Sequence, residues 1–220
     1  MLNLIIAEAA LETIPDEIIR HPSVTNDARR TGNEPSTLLL DRSIHHAAMV
    51  KLGDQFKRGR PDLVHLTLLN ATSTPLYQDG LAKVYIHTRN DVVLEFRERT
   101  RPPKSYSRFR DLMRKSMREM PESGLIKVYE LSVGALLKNI GPDLVVGLSI
   151  QGGSSSYEEV AAQLSAKRSP AVLVGGFPRG HFTPETTESF DRVVRVDKRS
   201  LDAHVVVARL IYEVEKHSRV

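Results

Sequence analysis

Residues 143–176 read DLVVGLSIQGGSSSYEEVAAQLSAKRSPAVLVGG, and this stretch decides the fold class. Leu144–Ile150 and Ala171–Val174 are short apolar runs rich in β-branched residues and closed by glycines, the pattern of buried strands. Between them, Ser155–Lys167 opens on Ser-x-x-Glu, a sequence that can satisfy the free N–H groups at the start of a helix. Strand, helix and strand within about 30 residues make a βαβ unit. Working outward toward the C-terminus, the alternation continues with a short helix after Thr183-Pro184, a strand at Val193–Val196 and a terminal helix from Ser200 to about His217. Parallel strands need crossovers of this kind, so the chain is predicted to be α/β, with a parallel sheet covered by helices.

Ligands in such sheets bind beyond the carboxyl ends of the strands. Three loops leave those ends, at 148–153, 175–180 and 196–201, and a parallel sheet brings them to one edge. Their glycines allow close backbone approach to a ligand, since no Cβ intervenes. The spacing 175, 176, 180 is not Gly-x-Gly-x-x-Gly, and no Gly-Lys-Ser/Thr follows, so neither a nicotinamide dinucleotide nor a nucleoside triphosphate is favoured. Taken alone, the cluster serves a tight structural turn equally well.

Toward the N-terminus, Leu2–Ile6 and Ser36–Leu40 read as short buried strands, with a polar surface loop at His21–Pro35 between them. Ile44–Leu52 has helical spacing. Pro61, whose missing N–H suits a first helical position, opens a helix to about Asn70. A loop at Thr74–Gly80 leads to a strand at Leu81–His87, paired as a hairpin with Val92–Phe96. Ser105 can cap a helix whose apolar stripe comprises Phe109, Leu112, Met113 and Met117. The segment at about 77–120 thus reads as a hairpin and helix added to one domain spanning 1–220.

Cysteine is absent from the 220 residues, which excludes disulfides, thiolate metal sites and any thiol nucleophile. No apolar run approaches a membrane span and Met1–Ile6 is too short for a signal-peptide core, so the chain is expected to be cytoplasmic and to touch no membrane. Adjacent His45 and His46 project about 100° apart on a helix and have no carboxylate spacing to complete a set, so no metal is expected. His65 and His87 sit among apolar residues and are expected to be satisfied core groups.

Charge is concentrated. Arg97–Arg118 holds nine Lys/Arg against two acidic residues; the other residues sum to −3, because the whole chain carries only +4. A nearly neutral body with one dense basic stretch is suited to gripping a polyanion at a defined place. A solvated helix face is the competing reading of such a run. Within it Arg101, Lys104 and Arg108 recur at spacings of three and four, with Pro102-Pro103 stiffening the approach and Tyr106 interleaved, so the cations can line a loop-to-helix junction that favours phosphate. Arg60-Pro61-Asp62 places a second guanidinium at a helix start, with a carboxylate able to orient it.

The motifs LLLDRSIHHAAMVKL (38–52), RGRPDLVHLTLLNATSTPL (58–76), VYIHTRND (84–91), RTRPPKSYSRFRDLM (99–113) and VLVGGFPRG (172–180), in that order, resemble the ribosome-biogenesis pseudouridine N1-methyltransferases of the SPOUT class. The resemblance implies an S-adenosylmethionine-dependent homodimer that methylates N1 of a pseudouridine in small-subunit ribosomal RNA, with ribosomal proteins or assembly factors as further partners. It also implies a C-terminal trefoil knot at about 143–220, a topology too rare to predict from periodicity. By resemblance, the RNA-contacting residues fall on Arg60, Arg101, Lys104 and Arg108, and the steadying carboxylate on Asp62. The cofactor contacts fall on Leu148, Gly175, Gly180, Val196, Asp197, Lys198, Arg199, Ser200 and Leu201. Lys104 departs from the family's arginine and cannot make a planar two-pronged contact.

Methyl transfer from a sulfonium requires alignment above all. The acceptor N1–H must lose a proton, so positive charge should stabilise the developing anion. Arg60 oriented by Asp62 is the expected group; Asp62 as general base is the rival. Two other readings stay open: a non-catalytic rRNA-binding assembly factor, and a knotted methyltransferase with a tRNA or ribose target.

Overall fold

The computed structural model describes residues 1–218. Seven strands form one sheet: β1 (Leu2–Ala9), β2 (Ala82–Thr88), β3 (Val92–Phe96), β4 (Ile126–Glu130), β5 (Leu144–Ser154), β6 (Pro170–Gly175) and β7 (Arg192–Arg195), in the order β4-β3-β2-β1-β6-β5-β7. β1 runs parallel to β2 and β6, and β5 parallel to β6 and β7; β3 runs against both its neighbours. Among the described residues nine α-helices flank it: α1 (Pro22–Thr31), α2 (Arg42–Met49), α3 (Pro61–Thr72), α4 (Pro75–Gln78), α5 (Tyr106–Glu119), α6 (Val133–Ile140), α7 (Tyr157–Ser165), α8 (Pro184–Thr187) and α9 (Ala203–Ser218).

β1 is buried at every position, because helices cover both faces of the sheet beside it. Leu4, Ile6, Val84, Val172 and Val174 meet Leu63, Val64 and Leu68 of α3, Val207 and Leu210 of α9 and Val160 of α7. On the opposite face Ile5, Tyr85 and Leu173 meet Val133, Leu136 and Leu137 of α6. A separate core of Ile18, Val24, Ala28, Leu38, Leu40 and Met49 holds α1 and α2 together. Among the described residues, no helix is long and apolar enough to cross a membrane.

The βαβ reading of 143–176 is realised as β5-α7-β6, and the capping box forms between Ser156 and Glu159. Elsewhere the structure corrects the expectations. Ser36–Leu40 is no strand: Pro35–Thr37 is a 3₁₀ turn and only the bridge Thr13–Leu39 forms, so its leucines are buried without a ladder. His21–Pro35 contains α1, started by His21 and Pro22 and ended by the left-handed Gly32. Thr74–Gly80 contains α4, capped by Thr74. The hairpin β2–β3 exists, but β2 is paired with β1 and so belongs to the main sheet, while β3 makes the edge mixed rather than wholly parallel. Ser105 precedes α5 in extended conformation, yet its hydroxyl meets Ser107 Oγ at 2.9 Å and caps no backbone N–H.

Candidate functional site

Beyond the carboxyl ends of the parallel strands lies a cleft, partly open to solvent. The loop expected at 148–153 is a bulged continuation of β5: both Leu148 and Gly153 pair with Val194, and the residues between are pushed outward, bringing Ser149 and Ile150 to the cleft wall. Gly175, Phe177, Pro178, Gly180, His181 and Phe182 form a second wall, and Val196, Asp197, Arg199, Ser200, Leu201 and Asp202 a third. Leu63 of α3 and Val206 of α9 also line it. The cofactor residues read from the sequence therefore converge, with the exception of Lys198, which faces a neighbouring hollow with Ser154 and Arg195.

Two glycines make the close approaches that shape this edge. Gly176 donates its N–H to Ala7 O and accepts from Ala10 N, both at 2.8 Å, and a Cβ there would lie 2.7 Å from Ala9 Cα. At Gly152 a Cβ would come within 2.6 Å of the Val193 carbonyl. These residues hold backbone against backbone. On the third wall, Arg199 donates to Asp197 through its side chain and its backbone N–H, holding that carboxyl down at about 2. Apolar side chains, the main chain of the glycine-bearing walls and the carboxylates of Asp197 and Asp202 suit a ligand with a flat ring, hydroxyls and positive charge.

Behind the second wall, Glu8 and Lys57 form a buried ion pair. One Glu8 oxygen accepts from Thr183 N at 2.7 Å, and Lys57 also donates to His181 O at 2.7 Å. Burial pushes the Glu8 carboxyl up, but Lys57 and Thr183 outweigh it and leave it below its ordinary value. Next in sequence, Arg58 grips the buried Glu12 with two hydrogen bonds, at 2.9 and 2.6 Å. Gly59 then turns the chain at φ 66°, where Met49 Cε leaves no room for a Cβ.

Arg60 follows as the residue preceding α3, its N–H bonded to Ala10 O at 3.1 Å. Its Nε and Nη2 each donate to one oxygen of Asp62 at 2.8 Å, a planar two-pronged pair. The pair is half-exposed. Burial pushes the Asp62 carboxyl up, but the Arg60 hydrogen bonds and charge, with nearby N–H groups, hold it lower than usual. The Asp62 hydrogen bonds likewise raise Arg60, and the charges of Asp202 at the cleft and of Asp41 act in the same sense. Arg60 thus stands at the start of α3, three residues before Leu63, which lines the cleft.

The basic segment is pinned by its backbone. Tyr77 Oη donates to the carbonyls of Arg97 and Thr100, each at 3.1 Å, and His65 Nε2 meets Pro103 O at 2.7 Å while its ring stacks on Phe109 at 4.3 Å. Arg101, Lys104 and Arg108 are exposed and form no ion pair among the described residues. Arg110 differs: it turns inward to Asp27 at 3.4 Å and to Asp41 at 4.0 Å. Tyr106, between Lys104 and Arg108, is half-buried and donates its phenol to Asp41; burial, then the Asp41 hydrogen bond and charge, push that phenol up.

His45 is fully buried; its Nδ1 accepts from Asp41 N at 3.1 Å and Nε2 faces Asp27 at 3.5 Å, whereas His46 is exposed. His87 accepts from Glu8 N and donates to Asp91 Oδ1. Among the described residues no three His, Asp or Glu side chains converge as metal ligands. Glu8, Lys57 and Asp202 are site residues that the sequence reading missed. A carboxylate inside the apolar run LNLIIAEAALE was the available signal for Glu8.

Residues 4–215 match the family described as EMG1/NEP1 methyltransferase. The chain is 38% identical over 218 residues to the ribosomal RNA small subunit methyltransferase Nep1 of Thermococcus onnurineus, with 98% of each chain covered. It is 39% identical to the Nep1 of Pyrobaculum neutrophilum, with 96% of each covered. Among solved structures, that of Archaeoglobus fulgidus Nep1 bound to S-adenosylhomocysteine superposes with a TM-score of 0.87 at 32% identity, covering 99% of both chains.

Proposed function

Because the chain belongs to the EMG1/NEP1 methyltransferase family, we propose that it methylates small-subunit ribosomal RNA at N1 of a pseudouridine, with S-adenosylmethionine as donor. The observation that carries this reading is that α3 joins all three parts: the Arg60–Asp62 pair stands at its start, Leu63 lines the three-loop cleft, and His65 binds the basic segment at Pro103 O.

The cleft residues fit the donor. Leu148, Ile150, Leu201 and Val206 offer apolar walls to an adenine, the main chain of 175–180 and 196–201 offers polar edges, and Asp197 and Asp202 offset positive charge. When bound, S-adenosylmethionine supplies a methyl group already activated on sulfur. Arg60 holds positive charge where N1 of the target loses its proton, and Asp62 fixes the guanidinium plane. With both carboxylate oxygens occupied and a lowered pKa, Asp62 is a poor base and serves as a positioning residue. Arg101, Lys104 and Arg108 hold phosphates from the pinned segment at about 77–120.

The same reading includes a homodimer acting in the cytoplasm, contacts with ribosomal proteins or assembly factors, and a knotted C-terminal part. Support for the last is the position of β7 outside β5, with α9 returning beneath α3 and α7.

A methylation assay on a small-subunit rRNA hairpin containing pseudouridine or uridine at the target position tests the proposal. Transfer only to the pseudouridine form is expected. Equal transfer to the uridine form points to a different acceptor atom, and failure to bind S-adenosylmethionine in calorimetry sinks the enzyme reading altogether.

A further inference from the structure

We propose that Glu8 and Lys57 form a latch that sets the Phe177–Thr183 loop against the cofactor cleft, making both of them positioning residues for donor binding. The inference rests on the donor-site reading above and deepens it.

Glu8 is built for such a task. It has φ 48°, a conformation unfavourable for a residue with a side chain, at the carboxyl end of the central strand. There the register of β1 with β2 breaks between Ile6 and Ala9, which re-aims the side chain. Its N–H is taken by His87 Nδ1 at 3.3 Å, leaving the carboxylate free to turn toward the loop.

The pair then holds that loop at three points. Thr183 N donates to Glu8 at 2.7 Å, His181 O accepts from Lys57 at 2.7 Å, and the Lys57 ammonium sits 4.4 Å from the centroid of the Phe177 ring. Between these points Pro178, Gly180 and Phe182 line the cleft. The aliphatic stem of Lys57 also packs beneath the turn: a Cβ on Gly180 would lie 3.7 Å from Lys57 Cδ.

A buried ion pair is a costly way to gain stability, and an apolar pair of the same volume would serve packing alone as well. What the charged pair adds is direction, because each partner addresses a named backbone group of the loop. Since the two charges cancel and Lys57 is mostly buried, its ammonium is committed to the loop and not presented to phosphate.

The test uses the double variant Glu8→Gln/Lys57→Met, which leaves no unpaired buried charge, together with Lys57→Arg, which keeps the pair. Hydrogen exchange on the ligand-free protein should show faster exchange at 177–183 with β1, β5 and β6 still protected. S-adenosylhomocysteine should bind the double variant about tenfold or more weakly in calorimetry, a loss of about 1.4 kcal/mol per tenfold. KM for the donor should rise while kcat at saturating donor stays within about twofold, since the binding lost is the same in the ground state and the transition state. RNA affinity should be unchanged, and Lys57→Arg should recover most of the donor affinity.

Unchanged loop exchange and donor affinity would overturn the latch. So would loss of protection throughout the sheet, which would make the pair a plain fold element, or a fall in RNA affinity with donor binding intact. Failure of the unaltered protein to bind S-adenosylhomocysteine would instead refute the donor reading, while the exchange data would still judge the latch.

Discussion

Tyr106 donates a 2.5 Å hydrogen bond from its phenol to Oδ2 of Asp41, joining the first residue of α5 to the residue that caps α2. The carboxylate's other oxygen accepts from Ser43 N and Ser43 Oγ, so Asp41 satisfies one helix end while it holds another. Tyr106→Phe should therefore cost about 1–3 kcal/mol, because Asp41 keeps a buried oxygen without its donor. Urea denaturation measures this. RNA affinity should fall with it, since the loop-to-helix junction carrying Lys104 and Arg108 loses its tie, and S-adenosylhomocysteine affinity should not.

Asp62→Asn separates orientation from base catalysis. The amide keeps the size of the side chain but gives up the two-pronged acceptor for Arg60. Single-turnover methylation at saturating RNA should stay within about tenfold of the unaltered protein, with weaker RNA binding. A general base would cost about 10²–10⁴ when removed. A loss of that size at saturating RNA would assign Asp62 the proton.

Arg101, Lys104 and Arg108 are exposed and unpaired among the described residues, so each is free to displace a counterion from RNA. Substituting any one by Ala should lower the slope of log K against log salt by about one and weaken related RNAs about equally. Filter binding over a salt series reads both. Lys104→Arg should preserve that slope and tighten binding if a planar contact is available there.

Gly176→Ala probes the seam between β1 and the cleft loop. The added methyl would meet Ala9 Cα at 2.7 Å and Ile6 Cγ2 at 2.8 Å, and the first of these is backbone that cannot swing aside. Destabilisation of about 1–3 kcal/mol is expected from overpacking. Donor affinity should also fall, because the displaced segment joins Gly175, at the end of β6, to Phe177 in the cleft loop. Thermal unfolding by circular dichroism and calorimetry check the two effects.

Acid should weaken the fold before its carboxylates titrate. Burial pushes both His45 and His87 below the ordinary 6.5, against the opposing pull of Asp27 and Asp41 on the first and of Asp91 and Glu8 on the second. The unfolded chain binds these protons first, so the stabilisation is full above pH 6.5 and is lost as pH falls through the folded-state values. Urea unfolding between about pH 7.5 and about pH 5 should show a decline of up to about 1.4 kcal/mol per pH unit for each imidazole. His45→Gln should flatten it.

What was legible in the sequence was local. The β5-α7-β6 unit shows in its own periodicity and capping residues, and the cleft loops follow from strand direction, which is why the sequence alone brings Leu148, Gly175 and Val196 to one edge. α1 escaped because its polar surface hides the signal: only Val24, Asp27 and Ala28 are buried, and Asp27 is matched by Arg110 from 83 residues away. Leu38–Leu40 looked like a strand because burial and strand pairing leave the same apolar trace. β4 and α6 lie in a stretch, 121–142, from which no element was read. Glu8 reads as a strand residue, and its partners Lys57 and Thr183 lie 49 and 175 positions on.

The turn Lys57-Arg58-Gly59-Arg60 sends its basic side chains to three carboxylates: Glu8 behind the cleft loop, Glu12 in the interior and Asp62 at the start of α3. Four consecutive residues therefore carry the reference points for both reactants. On the proposed function, the part of the fold that sets the donor loop and the part that faces the acceptor are joined by one short covalent turn as well as by packing.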